Sequence, residues 1–403
     1  MHRLIWLAFL AVHLLAALAA AAELPLQSLA RKEIGTDHGV FVRGENGKVL
    51  AALNSTRPYH PASVTKVATT LAFLSKLRPD RRFRTTFLAA GAVTGGTLHG
   101  DLLVQAEGDP YFLFANAFRV LLRLRDKGIR GVNGAIRVKG PFYFDWTPDP
   151  AGRRLKRVWT GRLGAESWPV VTRALFPGAS IPLSEHKLRF GDAMAGKRGE
   201  PHPPRPLVVH ASPPLLRHLK DFNSYSNDNF HEFSYRIGGP EEVQRILRAS
   251  VAGVPRSSIV IDNAAGDGRN NQMSPRAVVA MFEALERTLG TGGLSFSDVL
   301  PVAGVDRGTL KDRLEAPRYR GAVVAKSGTV RVLRIATLAG VAYTRKYGRT
   351  FFAVMTRGVP LWTARERQND FLQGLLDEAG ARPLRTGATP RPAFMEARLE
   401  PPE

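Results

Sequence analysis

Two short stretches and one polar cluster carry residue types that could do covalent chemistry. The first is PASVTKVATTLAFL, residues 61–74. Ser63 and Lys66 stand three residues apart, and on a helix such residues share a face, so the amine can reach the hydroxyl. A hydroxyl with a base at that distance is a candidate nucleophile, and the start of a helix favours developing negative charge. A helix N-cap beside a solvated lysine is the plainer reading of the same letters. The spacing is weak by itself. Ser184 and Lys187 share it, but they precede LRFGD with no apolar helix behind them, and read as a surface turn.

The second stretch is VVAKSGTVRVLRIATLAGVA, residues 323–342, in which Lys326, Ser327, Gly328 and Thr329 sit between two strand-like runs. Gly328 leaves the backbone open to close approach by a substrate. Lys326 supplies positive charge, and the hydroxyls of Ser327 and Thr329 can bind a carboxylate. Alone, this is also what a loop between strands looks like. The third is DFNSYSNDNFHEFSYRIGG, residues 221–239, a polar cluster holding Ser226 and Asp228 that alone reads as an N-cap and turn.

The elements around these residues follow from periodicity. HGVFVRGENGKVLAALN (38–54) is a hairpin about Glu45-Asn46-Gly47. Arg57-Pro58-Tyr59-His60-Pro61 is a stiff approach to a helix over 63–77, where Val67, Leu71, Leu74 and Leu77 recur at helical spacing and Pro79 is the stop. Residues 83–206 change texture, with short β-like runs split by Gly, a helix near 113–128 and a weakly patterned stretch from 145. They read as an inserted, mainly β accessory domain. From 207 the pattern tightens: helices over 215–234, 240–250 and 275–289, strands over 320–326, 330–342 and 350–357, and a last helix over 362–379. The fold class is α+β. The expected domains are a discontinuous catalytic domain (23–82 and 207–383), the insert (83–206) and a flexible tail (384–403).

Composition narrows the function. The 403 residues are 44% hydrophobic and contain no cysteine, which excludes disulfides, thiolate chemistry and Cys-based metal sites. The 10 histidines are dispersed with no H-E-x-x-H spacing, so neither metal nor cofactor is expected. Residues 1–22 have the basic start, apolar run and small-residue end of a cleavable signal peptide, with an uncleaved anchor as the alternative. Export points to the periplasm. The net charge of +22 attracts polyanions, but export makes nucleic acid a poor partner. Peripheral association with wall or membrane and simple solvated basic faces both fit the charge.

The order Ser-x-x-Lys, then a Ser-x-Asn-like element, then Lys-Ser-Gly on a strand resembles the constellation of penicilloyl-serine enzymes. The chain is identified as a member of the class C low-molecular-mass penicillin-binding proteins, the D-alanyl-D-alanine carboxypeptidases and endopeptidases. RPYHPASVTKVATTLAFL, FRTTFLAAGAVTGGTLHGDLLVQAEGDPYF, LPVAGVDRGTLKDRL and AKSGT carry the likeness, which extends over most of residues 35–360. It implies a β-lactamase/transpeptidase-like catalytic domain, in which a mainly antiparallel sheet carries Lys326 on an edge-side strand and a helical subdomain presents Ser63 and Ser226, with peptidoglycan stem peptides as substrates and β-lactams as covalent inhibitors. It also implies roles. Ser63 is the acylated nucleophile and Lys66 its base. Ser226 relays a proton to the leaving amine, and Lys326 sets the local potential. Ser327 and Thr329 bind the substrate carboxylate, Gly328 lines the same strand, and the N–H groups of Ser63 and Thr329 form the oxyanion hole.

The chain departs from that pattern at two places. Asp228 stands where the family has an asparagine that donates to the substrate carbonyl. An ionised Asp228 can only accept hydrogen bonds, and it favours a protonated Lys66 or Lys326. The family's Asp-Gly-Ser-Gly-Leu-Ser-Arg run is here Asn263-Ala264-Ala265-Gly266-Asp267-Gly268-Arg269, read as a loop near the site with altered substrate contacts. These departures keep open a catalytically weak wall-binding or regulatory protein. The large insert argues against a β-lactamase.

Overall fold

The structure, a computed structural model, describes residues 24–191, 203–385 and 396–400. The expected signal segment and most of the expected tail lie outside the described residues. Two compact units divide the described chain. The first draws on Met1–Ala72, Asn223–Asp228 and Pro240–Gly387, the second on Phe73–Phe222, Asn229–Gly239 and Ala388–Glu403. Of the points where the chain passes between them, Ala72/Phe73 and Phe222/Asn223 fall inside helices Thr65–Lys76 and Leu215–Tyr225. Helical periodicity continues across both points and leaves no boundary signal there. The expected boundaries, at 82/83 and 206/207, followed changes of composition instead.

The first unit is built on strands β1 (Gly39–Arg43), β2 (Val49–Leu53), β3 (Val323–Val330), β4 (Ile335–Tyr343) and β5 (Arg349–Arg357). They form one sheet in the order β3-β4-β5-β1-β2, every pair antiparallel. Helices α1 (Pro25–Glu33), α2 (Thr65–Lys76), α3 (Pro275–Thr291) and α4 (Leu361–Ala379) complete the frame. Leu26 and Ala30 of α1 and Phe371, Leu372, Leu375 and Leu376 of α4 share a core with Val40, Val42, Leu338 and Phe352 of the sheet. Helix α3 packs against β1, β4 and β5. Strands β4 and β5 are therefore buried almost end to end, which explains why IATLAGVAY and RTFFAVMTR are mostly apolar rather than alternating.

Strand β3 lies at the sheet edge, where Lys326 was expected. It is displaced from the expected 320–326, beginning at Val323 and ending at Val330. Lys326–Thr329 belongs to the strand itself, with Lys326 opposite Ala339 and Gly328 opposite Thr337. The chain turns at Arg331-Val332-Leu333-Arg334, with Arg334 at φ 47°. That turn contains no Gly, Pro, Asn or Asp, so the sequence offered nothing to mark it.

The second unit contains both strands and helices. Strands Arg84–Thr94 and Thr97–Ala106 form a hairpin that Arg205–Ala211 extends antiparallel on one side. Helix Phe114–Asp126 buries Phe118, Leu121 and Leu124 against Phe87, Phe112, Trp159 and Trp168. Arg398–Glu400 pairs with Val209–Ala211, so part of the segment expected as a flexible tail is a strand. The open edge of Arg205–Ala211 is a ready template for it, and Arg84 pairs with Glu400 at 3.1 Å. No helix among the described residues is long and apolar enough to cross a membrane.

Candidate active site

Ser63 sits in a single 3-10 turn, Ala62–Val64, that runs directly into α2. Ala62 has φ 49°, a strained value for a residue with a Cβ, and its neighbours hold it there. The Ala62 N–H donates to His60 Nδ1 at 3.0 Å, and His60 Nε2 meets the Gly268 carbonyl at 2.5 Å. From β4, the Thr337 hydroxyl donates to the Pro61 carbonyl at 2.8 Å. Strand β3 closes in from the same side. A Cβ on Gly328 would lie 2.8 Å from both the Ser63 nitrogen and the Ala62 Cβ, and would strike the Thr337 hydroxyl. Only glycine lets the strand come this near the nucleophile's backbone.

Lys66 is fully buried, and its amine has three partners: Ser63 Oγ at 2.9 Å, Asp228 Oδ1 at 2.8 Å and the Ala265 carbonyl at 2.8 Å. An ammonium has three protons, so this set satisfies the charged form completely. The neutral amine has two protons and a lone pair. Asp228 and Ala265 can only accept and so take the two protons, which leaves the lone pair facing the Ser63 hydroxyl. The geometry is that of a general base. Burial lowers the Lys66 pKa below the ordinary lysine value, and Asp228, then Asp267, oppose that shift.

The helix expected over 215–234 is broken. It stops at Tyr225 and resumes as Phe230–Ser234. Between the two pieces Ser226 takes φ 54°, and the Thr309 N–H caps the Ser224 carbonyl at 2.9 Å. The break brings the Ser226 hydroxyl to 3.0 Å from the Lys326 amine, which also donates to the Ser327 carbonyl at 2.6 Å. Lys326 is fully buried. Its pKa lies well below the lysine range, first because of burial and then because of the charge on Lys66, with Asp228 pulling the other way.

The altered run after Asp262 is an ordered loop docked on α2. Asn263 Oδ1 accepts from the N–H groups of Ala265 and Gly266, both at 2.8 Å. Asn271 donates to the Asn263 carbonyl at 2.8 Å and to Thr65 Oγ1 at 3.1 Å, and Thr69 donates to the Ala264 carbonyl at 2.6 Å. Gly266 has φ 84°, and a Cβ there would run into the Ala62 carbonyl. This loop delivers the Ala265 carbonyl to Lys66.

Hydrogen bonds between side chains thus join five of the eight expected site residues: Ser63, Lys66 and Asp228 in one group, Ser226 and Lys326 in the other. Asp228 bonds Lys66 rather than Lys326. Ser327, Gly328 and Thr329 follow along β3, with Ser327 and Thr329 half-buried. Ser184 and Lys187 are exposed in the second unit. Sequence reasoning missed three contributors: the Ala265 carbonyl, the Thr337 hydroxyl and Arg365, whose Nη2 donates to Thr329 Oγ1 at 3.3 Å. A backbone carbonyl leaves no sequence signal. The threonine in an otherwise apolar strand was the one available clue. Among the described residues no cluster of His, Asp or Glu is arranged to hold a metal.

The pattern of the D-Ala-D-Ala carboxypeptidase 3 (S13) family matches residues 22–145 and 190–377. A D-alanyl-D-alanine carboxypeptidase DacB of Haemophilus influenzae is 29% identical over 103 residues, 25% of this chain and 22% of that protein; the match thus spans about a fifth of this curated relative's length. Among solved structures, a predatory endopeptidase of Bdellovibrio bacteriovorus, acylated by penicillin G and in complex with an immunity protein, is similar with TM-score 0.71 at 19% identity, over 88% of this chain and 96% of that one. Penicillin binding protein 4 (dacB) of Haemophilus influenzae is similar with TM-score 0.63 at 17% identity, over 88% and 98%. At these identities the structural likeness is one of fold.

Proposed function

Because the chain belongs to the D-Ala-D-Ala carboxypeptidase 3 (S13) family, we propose that it is a serine DD-peptidase acting on peptidoglycan stem peptides through an acyl-enzyme on Ser63. The observation that carries this reading is the 2.9 Å contact between the Lys66 amine and the Ser63 hydroxyl, with the other two amine directions held by acceptors. Neutral Lys66 takes the Ser63 proton as Oγ attacks the carbonyl of the penultimate D-Ala. The oxyanion forms beside the Ser63 N–H, where Gly328 leaves room, and the Thr329 N–H completes the hole. The C–N bond breaks as Ser226, hydrogen-bonded to Lys326, passes a proton to the departing amine and regains one by relay from the Lys66 ammonium, which returns Lys66 to the neutral amine that deacylation needs. Water then releases the shortened peptide and free Ser63. Carboxypeptidase and endopeptidase action are the same reaction on different leaving amines, D-Ala or diaminopimelate. The working place is the periplasm, reached through the signal-like segment 1–22.

A fluorescent penicillin tests the reading. The purified protein takes up a stable label, and Ser63→Ala takes up none. A folded wild type that stays unlabelled at high probe concentration overturns it. One feature favours a second reading, a catalytically weak wall-binding protein that keeps the fold: Asp228 in hydrogen-bond contact with the base. In that case Asp228→Asn restores labelling.

A further inference from the structure

The approach to the nucleophile places an imidazole between two backbone segments that are far apart in the chain. Pro58 and Pro61 have no N–H, and the Tyr59 N–H donates to the Met273 carbonyl at 2.9 Å. The first donor of the turn that carries Ser63 is the N–H of Ala62, a fully buried residue held at φ 49°. His60 Nδ1 accepts from that N–H at 3.0 Å. From the same ring, Nε2 meets the carbonyl of Gly268, 208 residues on, at 2.5 Å.

The two partners fix where the ring carries its proton. A backbone N–H only donates and a carbonyl only accepts, so Nδ1 holds the lone pair and Nε2 the hydrogen. One neutral tautomer satisfies both contacts. The other tautomer and the charged ring would each point an N–H at the Ala62 N–H. Shorter and longer amides can keep one contact apiece. An asparagine oxygen reaches about as far as Nδ1, and a glutamine amide about as far as Nε2.

The segments joined by this ring serve the two partners of the proton transfer. On one side Ala62 leads directly into Ser63, whose hydroxyl lies 2.9 Å from the Lys66 amine. On the other, Gly268 belongs to the loop whose Ala265 carbonyl takes another proton of that amine at 2.8 Å. Gly266 of the same loop already lies so close to the Ala62 carbonyl that a Cβ would not fit. The imidazole therefore sets the spacing between the nucleophile's turn and the loop that orients its base.

We propose that His60 is a positioning residue for acylation, locking the Ser63 turn to the 263–269 loop through a single neutral tautomer. The proposal rests on the DD-peptidase reading above. His60 acts through Ala62 and Gly268 rather than on the substrate. A displacement of about 1 Å at a reacting group is enough to cost about a hundredfold in rate.

The test follows penicillin acylation over a range of concentrations, which separates the limiting rate from the half-saturating concentration. Thermal unfolding is measured beside it. Losing both contacts in His60→Ala lowers the limiting rate about a hundredfold and moves the half-saturating concentration by about threefold or less. His60→Asn returns an acceptor to the Ala62 N–H and recovers about tenfold, the worth of one hydrogen bond. His60→Gln returns a donor to the Gly268 carbonyl and recovers less, because that contact lies further from Ser63. Nitrogen NMR of the folded wild type, with His60 identified by its absence from His60→Asn, shows the proton on Nε2. An unchanged limiting rate in His60→Ala, a loss seen only as weaker binding, or equal losses in all three variants overturns the role. So does a loss that tracks unfolded protein, or a proton found on Nδ1. If the folded wild type takes up no penicillin, the peptidase reading fails and this proposal fails with it. If the wild type acylates and His60→Ala acylates as fast, only this proposal fails.

Discussion

The Lys66 amine and the Asp228 carboxylate stand 2.8 Å apart, the first with no solvent exposure and the second 61% exposed. One side of this pair is desolvated and pressed towards neutrality. The other side is in water and pulls towards the charged form. The balance sets how much of the base is available at a given pH.

That balance predicts the effect of Asp228→Asn. Asp228 raises the Lys66 pKa against the lowering by burial. Removing its charge lets burial act with less opposition, so neutral Lys66 becomes available at lower pH. The acid limb of the acylation profile moves to lower pH, and acylation by penicillin at neutral pH rises or holds. The check is the second-order acylation rate of both proteins across about pH 5 to 9. A limb that stays put or moves up rules the mechanism out.

Ser226 and Lys326 form the other hydrogen-bonded pair, at 3.0 Å. If Ser226 carries the proton to the leaving amine, Ser226→Ala slows peptide turnover by about a hundredfold or more, the range of positioned acid–base groups. Thermal unfolding should change little, because the side chain is half-buried and its loss leaves Lys326 the Ser327 carbonyl. Full turnover in the variant removes Ser226 from the proton path.

Thr337 acts on Ser63 through the Pro61 carbonyl. Thr337→Val keeps the shape and deletes one buried hydrogen bond, a cost of about 1 kcal/mol in stability. The larger effect is expected on acylation, because the nucleophile's approach loses its anchor to β4. Gly328→Ala is the harsher form of the same experiment. Its methyl group would enter the space occupied by Ser63 N and Ala62 Cβ, so acylation is essentially lost while the sheet still forms. Parallel measurement of unfolding and penicillin acylation separates the two effects. Acylation that falls only in proportion to unfolded protein contradicts the positioning role.

The second unit buries Asp109 beside two histidines, with His210 Nδ1 at 3.6 Å and His218 Nε2 at 4.0 Å. Burial raises the Asp109 pKa from 3.8 to about 7. The folded state therefore holds a proton that the unfolded state gives up near pH 4. The stability tied to that proton is complete below about pH 4 and is lost as the pH rises towards 7. His210 and His218, both pushed down to about 3 by burial, run the opposite way, but they are present in both proteins and cancel in a comparison. Asp109→Asn keeps an acceptor for the Tyr111 N–H and cannot ionise. Its stability relative to wild type should climb from about pH 4 to 7, by up to a few kcal/mol, and then level off. Denaturant unfolding across that range is the measurement, and a pH-independent difference contradicts a buried, protonating Asp109.

Some of this molecule was legible in its letters. The hairpin about Glu45-Asn46-Gly47, the α2 helix with its apolar spacing and the closing helix up to Ala379 follow from local periodicity and turn chemistry, which act over a few residues. The eight expected site residues could be named because their types recur in order along the chain. Their relations to one another could not be read that way. The 215–234 helix breaks at Ser226 because tertiary contacts at Ser224 hold a left-handed residue in place of continued helical hydrogen bonding. Arg398–Glu400 is a strand because the edge of Arg205–Ala211 was open to it.

The sequence by itself determined which chemical groups are available, hydroxyls, two amines and a carboxylate, and which elements carry most of them, since composition and short-range spacing specify both. Only the tertiary structure decided that Asp228 bonds Lys66 rather than Lys326, that the Ala265 carbonyl supplies the third acceptor and that Arg365 meets Thr329. Each of these contacts joins residues far apart in the chain. Their distances depend on how the sheet, helices and loops of the first unit pack, and packing is a property of the whole core that no short stretch of sequence contains.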